Sequence, residues 1–566
     1  MNERKDLKKY NYNFIKKKFI EEVKIMPVYW GMWEEDAPSD SKVTAIHACL
    51  LHNGNVLFFH CRSFPFWTRI YDPVSNTVLN YNLEVPKWPK YYEETETESA
   101  YPIQPSRIFC CGHGFMADGR LLVVGGELSN PYPNSYEPIA LDRGLRYSFI
   151  FDPENETWKI TGTFGNPFIM KKGRWYPTIT ILHNGKMLAM AGKEDTVLEI
   201  INGFTVLLNR IPEIYDENSN PPGWTSYDDP TAIMPLDVHY YYPDAHVIPL
   251  GDLEGKVFYA STQLVPDNND PPEYTEAGHS QIFDPFTETD FWTPIDSRRS
   301  SPSEFSSGLM LPIRKSPNAK ARFLITGGWW INFLKRIDII DLTGGLNSDP
   351  VWSSIDDMSV ARQNHHAVIL PDRNLLIVGG ENENGEVLSL ELLDTDKLEW
   401  IDVEIPPMPV GRRYHSIGIL LPNAKVLMGG GRVPNGGDVE DDTERRFSIF
   451  KPKYLMDGAQ PLIIYDTQIE ITYGNTFEIT LDEYYLLDSI ALLKPGSVTH
   501  SNNMDQRYIE LDFISKGETG VYEVTAPANS YLAPPGYYML FVLKDKTLSI
   551  SGESKIPSNA VFVKLS

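Results

Sequence analysis

Hydrophobic and polar residues alternate along most of the chain in short paired stretches that are joined by tight turns. Residues 46–59 turn around Asn53-Gly54, and residues 112–126 turn around Asp118-Gly119. Asn-Gly and Asp-Gly favour the primed β-turns, whose twist matches that of two paired strands. The pattern therefore predicts antiparallel β-hairpins.

These hairpins recur along the chain. Further copies cover residues 176–192, 366–380 and 415–430, and several copies end in Gly-Gly or Ala-Gly. Such ends begin at residues 125, 191, 327, 379 and 429, with spacings of 66, 136, 52 and 50. The spacing of 136 is about two repeat lengths, and a degenerate copy at residues 242–262 lies in its middle. With the first copy, which ends near residue 59, the count is seven.

A second motif lies between the hairpins and consists of an Asp, often Asp-Pro, followed by a Trp. Asp152 with Trp158 and Asp284 with Trp292 are examples. Each repeat therefore holds about four strands, as one blade of a β-propeller requires. The repeats resemble the kelch repeat. We predict an all-β chain in which residues 28–458 form a seven-bladed kelch-type β-propeller.

The two ends of the chain differ from this repeat. After Pro461 the strands shorten and lose the Gly-Gly ending, which predicts an immunoglobulin-like β-sandwich at residues 459–566. Residues 1–27 are basic and amphipathic, so we expect them to be helical or disordered. They lack the continuous apolar stretch of a signal peptide, and no later stretch approaches the roughly 20 apolar residues of a membrane span.

Charge and composition exclude several classes of partner. The chain has 51 Lys and Arg against 76 Asp and Glu, a net charge of −25, which argues against nucleic acids and anionic membranes. Its 4 cysteines, at positions 49, 61, 110 and 111, are too few for a disulfide framework. No glycine-rich phosphate-binding pattern is evident, so we expect no nucleotide cofactor. No protein partner is predicted.

Two segments at the starts of hairpins carry redox-capable side chains. Cys110 opens the second hairpin and Tyr176 opens the third. Neighbouring blades bring equivalent strand positions close together around the propeller axis, so this Cys and Tyr could touch. Successive side chains of a strand point to opposite faces, so only one of Cys110 and Cys111 can face the centre. Taken singly, a buried Cys or Tyr more often serves packing.

Two further segments carry imidazoles. Tyr414 and His415 precede the last hairpin, and His500 lies on a Gly-Ser-Thr-rich turn of the C-terminal domain. Tyr414 and His415 can reach one metal ion only if the backbone is distorted there, because adjacent strand residues face opposite ways. A loop such as the one around His500 can reach a neighbouring domain. Taken singly, it would be an exposed loop residue.

Together these segments resemble the galactose oxidase and glyoxal oxidase family of copper radical enzymes. The matching motifs are Phe-Cys-x-Gly-His around Cys110, Gly-Arg-Trp-Tyr-Pro-Thr around Tyr176, Arg-x-Tyr-His-Ser around Tyr414 and His415, and Gly-Ser-Val-Thr-His-Ser around His500. They occur in the family's order and span nearly the whole chain. The Ala-Pro-Pro-Gly-Tyr-Tyr run at residues 533–538 also looks like the family's final domain.

The resemblance implies a site and a reaction. It implies one copper ion bound by Tyr176, His415 and His500, with Tyr414 as an axial ligand and general base. It implies a thioether between Cys110 and Tyr176 that supports a tyrosyl radical. Such a site oxidises a primary alcohol or aldehyde with O₂ and releases hydrogen peroxide. Substrates would be small aldehydes, alcohols or carbohydrates.

The chain also departs from the family pattern. Galactose oxidase stacks a Trp over the thioether, and the corresponding position here is Glu194, so Trp175 or Trp329 would have to cover the site. The carbohydrate-binding domain that precedes the galactose oxidase propeller is not found before the first blade. These points favour the glyoxal-oxidase-like branch, and galactose is not the expected substrate. The family is typically exported, which leaves the location open between outside the cell and elsewhere.

Two alternatives remain at the level of sequence. The first is a kelch scaffold without enzymatic activity that binds protein or glycan, although the joint presence of Cys110, Tyr176, His415 and His500 argues against it. The second is a copper-binding member with altered or lost radical activity, motivated by Glu194.

Overall fold

The computed structural model is almost entirely β-structure. The residues that it describes are 29–60, 67–79, 81–86, 107–128, 143–163, 166–193, 199–201, 204–206, 208–235, 241–260, 264–266, 274–277, 279–297, 305–329, 332–432, 444–456, 459–517, 519–545 and 555–566. Helical structure in these ranges consists of two 3₁₀ turns, Leu346–Ser348 and Lys453–Leu455. No helix in the same ranges is long and apolar enough to cross a membrane.

Seven antiparallel sheets, each built around four strands, follow one another along the chain as blades 1 to 7. From the inner to the outer strand, blades 1 to 4 contain His47–Leu50, Val56–Phe59, Trp67–Asp72 and Thr77–Val78; Gly112–Phe115, Leu121–Val124, Ser148–Asp152 and Thr157–Ile160; Thr178–Ile181, Met187–Met190, Glu213–Asp216 and Gly223–Ser226; and Ala245–Val247, Val257–Tyr259, His279–Phe283 and Trp292–Ser297. Blades 5 to 7 contain Ser307–Met310, Arg322–Thr326, Ile337–Asp341 and Ser353–Ile355; Gln363–Ile369, Asn374–Asn382, Glu391–Asp394 and Glu399–Trp400; and Ser416–Leu420, Val426–Gly430, Ser448–Pro452 and Gly31–Trp33. Short accessory strands are Leu83–Glu84, Glu127–Leu128, Arg143–Gly144, Gly162–Thr163, Asn166–Pro167, Glu199–Ile201, Phe204–Val206, Leu264–Pro266, Tyr274–Ala277 and Gly385–Glu386. Inner strands of neighbouring blades contact one another, and the predicted fold class is confirmed.

The N-terminal strand closes the ring. Gly31–Trp33 pairs antiparallel with Ser448–Pro452 and becomes the outer strand of blade 7. A Cβ on Gly31 would lie 2.3 Å from the Phe450 ring, so only glycine allows this close pairing.

Strands near the axis are apolar on both faces because each face packs against a different neighbouring blade. In blade 2, Leu121 and Val123 belong to the core shared with blade 1. The intervening Leu122 and Val124 belong to the core shared with blade 3. Alternation along the strand therefore sorts side chains between two interfaces rather than between core and solvent.

In blades 2 and 5 the recurring Trp bonds the blade to the one before it. The indole N–H of Trp158 in blade 2 donates to Thr68 of blade 1 at 3.0 Å. Trp352 of blade 5 donates in the same way to Ser280 of blade 4, also at 3.0 Å. The Trp of the Asp and Trp motif thus links neighbouring blades by a hydrogen bond.

The hairpin turns differ in type from the expectation. Only the glycine of each pair has a positive φ, which is 90° at Gly54, 92° at Gly119 and 80° at Gly185. A primed turn of the Asn-Gly type would need a positive φ at both central residues. The N–H of Gly54 bonds the carbonyl of Leu51 at 2.9 Å, which gives a three-residue loop that ends in a bulge. The prediction of hairpins is confirmed, and the prediction of primed turns is wrong.

Two sheets form the C-terminal β-sandwich. One contains Ile464–Thr467, Thr476–Leu481, Val521–Thr525 and Phe513–Ser515, and the other contains Glu470–Ile471, Val561–Leu565, Gly536–Lys544, Leu487–Leu493, Tyr508–Leu511 and Ile556–Pro557. Their apolar core is continuous with blades 4 and 5, and a bridge between Ile313 and Ile509 links the sandwich to blade 5. The sandwich therefore packs against the propeller through apolar contacts.

A hairpin of the C-terminal domain enters the propeller. Its strands are Ser497–Thr499 and Asn502–Asn503. Ser497–Thr499 pairs antiparallel with the inner edge of His47–Leu50, with Thr499 opposite His47. We call this segment, residues 497–503, the inserted hairpin.

Buried polar contacts hold the chain on either side of the inserted hairpin. Lys494 Nζ and Asp505 Oδ1 lie 3.1 Å apart, and both side chains are almost fully buried. Asp505 Oδ2 also accepts the backbone N–H of Phe115 in blade 2 at 2.9 Å. On the opposite side, the Gln506 side chain bonds the backbone of Ile369 in blade 6 at 3.0 Å. The inserted hairpin is therefore anchored to several blades.

Buried histidines connect the inner strands. His365 Nε2 lies 2.7 Å from Thr326 Oγ1 of blade 5, and His366 Nε2 lies 2.9 Å from Ser416 Oγ of blade 7. Burial lowers the pKa of His365 well below its ordinary value, and it lowers the pKa of His113, His246 and His366 to about 3. These rings are neutral in the native state.

We expect Asp505→Ala to lower the free energy of unfolding by about 3 kcal/mol or more, because it leaves the Lys494 ammonium buried without its carboxylate. Urea unfolding would measure the change. Asp466 is exposed on the sandwich, so Asp466→Ala should change stability by less than about 0.5 kcal/mol. Equal losses in the two variants would contradict the anchoring role of the pair.

We expect the metal-free protein to lose stability as the pH falls below 6.5, the ordinary pKa of histidine. In that range the unfolded chain binds protons that the buried native imidazoles do not, so the free energy of unfolding decreases as the pH decreases. Each such histidine contributes up to about 1.4 kcal/mol per pH unit. Urea unfolding at pH 7.5 and 5.5 measures the slope. Between these two pH values His246→Phe should reduce the slope by about half a proton, or about 0.7 kcal/mol per pH unit, and an unchanged slope would contradict the assignment.

Candidate metal centre

The structure brings all five predicted site residues into one cluster beside the propeller axis. The ligand atoms of Cys110, His415 and His500 lie within 4.8 Å of one another. The hydroxyl oxygens of Tyr176 and Tyr414 lie 2.6 Å apart. Each of these two tyrosine rings has its centroid 5.2 Å from that of His500.

Four of the five site residues share an unusual backbone conformation. The φ angle is 54° at Cys110, 66° at Tyr176, 69° at His415 and 49° at His500. Non-glycine residues in this left-handed region carry strain of order 1 to 3 kcal/mol and cluster at functional sites. Cys110, Tyr176 and His415 each stand just before an inner strand of the propeller. The three blades therefore present their side chains from equivalent places.

The distortion required of Tyr414 and His415 is present. Both residues lie in a turn before Ser416–Leu420 rather than in the strand, and His415 has a positive φ. Their ring centroids are 4.0 Å apart. Strand alternation therefore does not separate them, and the phenol and the imidazole share one side.

His500 is held in the tautomer that can bind a metal. Thr499 Oγ1 donates to the carbonyl of Ile46 at 3.0 Å, and it lies 2.6 Å from His500 Nδ1. Because the hydroxyl proton is already donated, Nδ1 carries the ring proton and Nε2 carries the lone pair. Burial lowers the pKa of His500 well below its ordinary value. A neutral imidazole oriented by its second nitrogen is a typical metal ligand.

The phenols are less enclosed than the imidazoles. Tyr176 and Tyr414 are half-buried, whereas the exposed fraction of both His415 and His500 is 5%. Burial raises the pKa of Tyr176 well above its ordinary value, and Cys110 and Tyr414 raise it further. A phenolate therefore forms here only beside a compensating positive charge. Two imidazoles and two phenol oxygens form a donor set that suits Cu(II), so the side chains fit the implied metal.

Cys110, and not Cys111, lies in the cluster. Cys110 Sγ is 3.4 Å from His500 Nε2, and the Cys110 side chain packs with Trp175 and Tyr176. Cys111 belongs to the core between blades 1 and 2. Cys61 lies outside the described residues.

Trp175 packs against the Cys110 and Tyr176 pair. The ring centroids of Trp175 and Tyr176 are 4.5 Å apart with an interplanar angle of 56°. Trp329 is 38% exposed, and its backbone forms a bridge with Phe333. Glu194 lies outside the described residues. Of the two tryptophans considered from the sequence, Trp175 is the one in contact with the pair.

Tyr242 was missed by the sequence reasoning. Its ring centroid lies 4.8 Å from that of His500 and 5.1 Å from that of Tyr176, and its hydroxyl donates to the carbonyl of Cys111 at 2.9 Å. Tyr242 has a φ of 44° and precedes the inner strand of blade 4, as Tyr176 does in blade 3. The sequence could have indicated Tyr242, because the degenerate fourth repeat begins at this residue as the third repeat begins at Tyr176.

Comparisons with known proteins agree with this picture. Residues 460–565 match the family model "Galactose oxidase-like, Early set domain". The chain is 32% identical to aldehyde oxidase GLOX1 of Arabidopsis thaliana over 228 residues, which are 36% of this chain and 37% of that protein. It is 30% identical to galactose oxidase of Gibberella zeae over 215 residues, which are 35% of this chain and 30% of that protein. The chain thus spans about a third of the length of these two relatives.

Two longer matches extend the similarity. The chain is 22% identical to the putative aldehyde oxidase Art an 7 of Artemisia annua over 570 residues, covering 91% of this chain and 87% of that protein. A fungal alcohol oxidase of the AA5 family, solved in complex with copper, has the same fold with a TM-score of 0.69, at 20% identity and covering 95% of this chain and 100% of the other. In its ordered motifs, its fold and these matches, the chain is similar to the galactose oxidase and glyoxal oxidase family.

Proposed function

We propose that this protein is a copper-dependent oxidase that converts an aldehyde or a primary alcohol to the acid or the aldehyde and reduces O₂ to hydrogen peroxide. The observation that carries the proposal is the convergence of Cys110, Tyr176, Tyr414, His415 and His500, with a Tyr176 to Tyr414 oxygen distance of 2.6 Å. Several relatives are named aldehyde oxidases, which favours an aldehyde, in its hydrated form, as the substrate.

Four side chains would hold the copper ion. His415 and His500 supply imidazole nitrogens, and Tyr176 and Tyr414 supply phenol oxygens. Bound copper supplies a Lewis acid that orients the substrate oxygen and a partner for one-electron transfer. The two phenols are half-buried and the two imidazoles are almost fully buried, so we expect substrate to approach from the side of the phenols.

Tyr414 is the proposed general base. A base must lie within hydrogen-bond reach of the proton that it takes, and Tyr414 is the half-buried phenol that is not joined to Cys110 in this proposal. As a phenolate beside the metal, it removes the hydroxyl proton of the bound alcohol or aldehyde hydrate. Oxidation of the hydrate then releases two electrons and two protons in total, and one O₂ accepts them as hydrogen peroxide.

Cys110 and Tyr176 form the proposed organic cofactor. The backbone N–H of Tyr176 donates to the carbonyl of Cys110 at 2.9 Å, which holds the two residues side by side. A thioether on the phenol ring makes the phenol easier to oxidise. The joined pair can therefore lose one electron and later accept one of the two electrons that leave the substrate. Trp175 packs against the Tyr176 ring, with the two ring centroids 4.5 Å apart.

Cross-link formation tests the cofactor. After aerobic copper loading, we expect peptide mass analysis to find the Cys110 and Tyr176 peptides joined with the loss of one hydrogen pair. Cys110→Ser should abolish the joined peptide and the activity, whereas Cys111→Ser, a matched change at the adjacent residue, should retain both. Separate peptides in the fully copper-loaded protein would overturn the radical cofactor and leave a copper-binding protein with altered activity.

Removing the proposed base tests the role of Tyr414. We expect Tyr414→Phe to lower kcat by about 10²-fold to 10⁴-fold while the cross-link still forms, because the phenol acts on the substrate proton. Oxygen consumption over a panel of small aldehydes and primary alcohols measures kcat. Tyr508→Phe is the matched control, since Tyr508 is buried in the sandwich and bonds the carbonyl of Pro371. Retention of full activity in Tyr414→Phe would rule out this base.

A further inference from the structure

Both backbone polar groups of Cys110 are bonded to residues of the neighbouring blades. Its N–H donates to His47 Nε2 of blade 1 at 3.1 Å, and its carbonyl accepts the N–H of Tyr176 of blade 3 at 2.9 Å. Cys110 is fully buried and has a φ of 54°. A buried N–H without an acceptor is strongly disfavoured, so His47 stabilises the strained conformation that directs the sulfur into the site.

The imidazole of His47 belongs to a hydrogen-bond chain with a determined direction. His47 Nε2 accepts the Cys110 N–H, so the ring proton of the neutral imidazole lies on Nδ1. His47 Nδ1 is 3.0 Å from His113 Nε2, and His113 Nδ1 is 2.6 Å from Ser497 Oγ. Ser497 Oγ in turn donates to the carbonyl of His113 at 2.9 Å. Each donor in this chain therefore has an acceptor, and Cys49 Sγ lies beside its far end, 3.4 Å from His113 Nδ1.

This chain joins Cys110 to the segment that carries His500. Ser497 is the first residue of the inserted hairpin, and His500 follows three residues later. The strand of His47 also pairs directly with the inserted hairpin. The His47 ring stacks on Phe59 at 4.7 Å with an interplanar angle of 10°, which fixes its orientation. His47 thus connects the cysteine of blade 2 with the metal-binding hairpin.

We propose that His47 is a positioning residue that places Cys110 for thioether formation, acting through the Cys110 N–H and the His113 to Ser497 chain. The inference rests on the proposed function and adds a residue outside the cluster of ligand atoms. In the step that it assists, the S–H bond of Cys110 and one ring C–H bond of Tyr176 break and a C–S bond forms. The two hydrogens leave as two protons and two electrons, which O₂ takes up as hydrogen peroxide.

The test compares His47→Phe and His47→Gln with the native protein. Phe keeps an aromatic ring against Phe59 but offers no acceptor, whereas the Gln carboxamide oxygen can reach the position of Nε2. The copper-loaded proteins are sampled over time for the joined Cys110 and Tyr176 peptides, and copper content is measured in parallel. We expect equal copper content, a cross-linking rate at least about tenfold lower in His47→Phe, and partial recovery in His47→Gln.

A matched control is His365→Phe. His365 is also fully buried on an inner strand, and it bonds Thr326 rather than Cys110. We expect its cross-linking rate to equal that of the native protein. Cross-linking at the native rate in His47→Phe, or equal slowing in His365→Phe, would overturn the assignment to His47.

Hydrogen exchange of the metal-free protein separates this inference from the proposed function. The Cys110 amide should exchange at least about tenfold faster in His47→Phe than in the native protein, and His47→Gln should restore protection. Unchanged exchange would overturn the positioning role. The variants could show this exchange pattern while the copper-loaded native protein never forms the cross-link. That result would support the contact of His47 with the Cys110 N–H, and it would overturn both the cofactor and the role of His47 in forming it.

Discussion

The pairing of the inserted hairpin with the inner edge of blade 1 is the interaction on which the site depends. Without it, His500 would lie on a domain outside the propeller, and the cluster would lack one imidazole. The pairing uses backbone hydrogen bonds between Ser497–Thr499 and His47–Leu50. Buried polar contacts of Asp505 and Gln506 with blades 2 and 6 hold the flanking chain. The site is thus assembled between two domains, and its integrity depends on their docking.

Local backbone strain is the second condition. Four site residues have a positive φ, and three of them lie one or two residues before inner strands. In that position the chain leaves a turn and enters the sheet, so the strain is confined to a few bonds that the packed blades support on both sides. The result is that side chains converge on the axis rather than alternating between the inter-blade cores.

Burial determines the charge state of the ligand atoms. It lowers the pKa of His500 and raises that of Tyr176, so both groups are neutral before a metal binds. Neutral imidazoles are ready to coordinate, whereas the phenol loses its proton only next to a cation. The same burial surrounds His47 and His113, whose fixed tautomers carry the contact from Cys110 to Ser497. Charge and position are therefore set by one physical factor, the exclusion of water.

The sequence by itself determined the repeat, the number of blades and the identity of the five clustered side chains. Hairpin periodicity is a local property, and the motifs around Cys110, Tyr176, Tyr414, His415 and His500 are contiguous, so both are readable without coordinates. The turn type was misjudged from Asp118-Gly119 and its equivalents because two-residue and three-residue loops share the same dipeptide. Only the tertiary structure decided which residues surround the cluster. The start of the fourth repeat can mark Tyr242, but it does not give its neighbours. The contacts of Tyr242 with His500 and of His47 with Cys110 join different blades and domains, so they arise only when these parts dock.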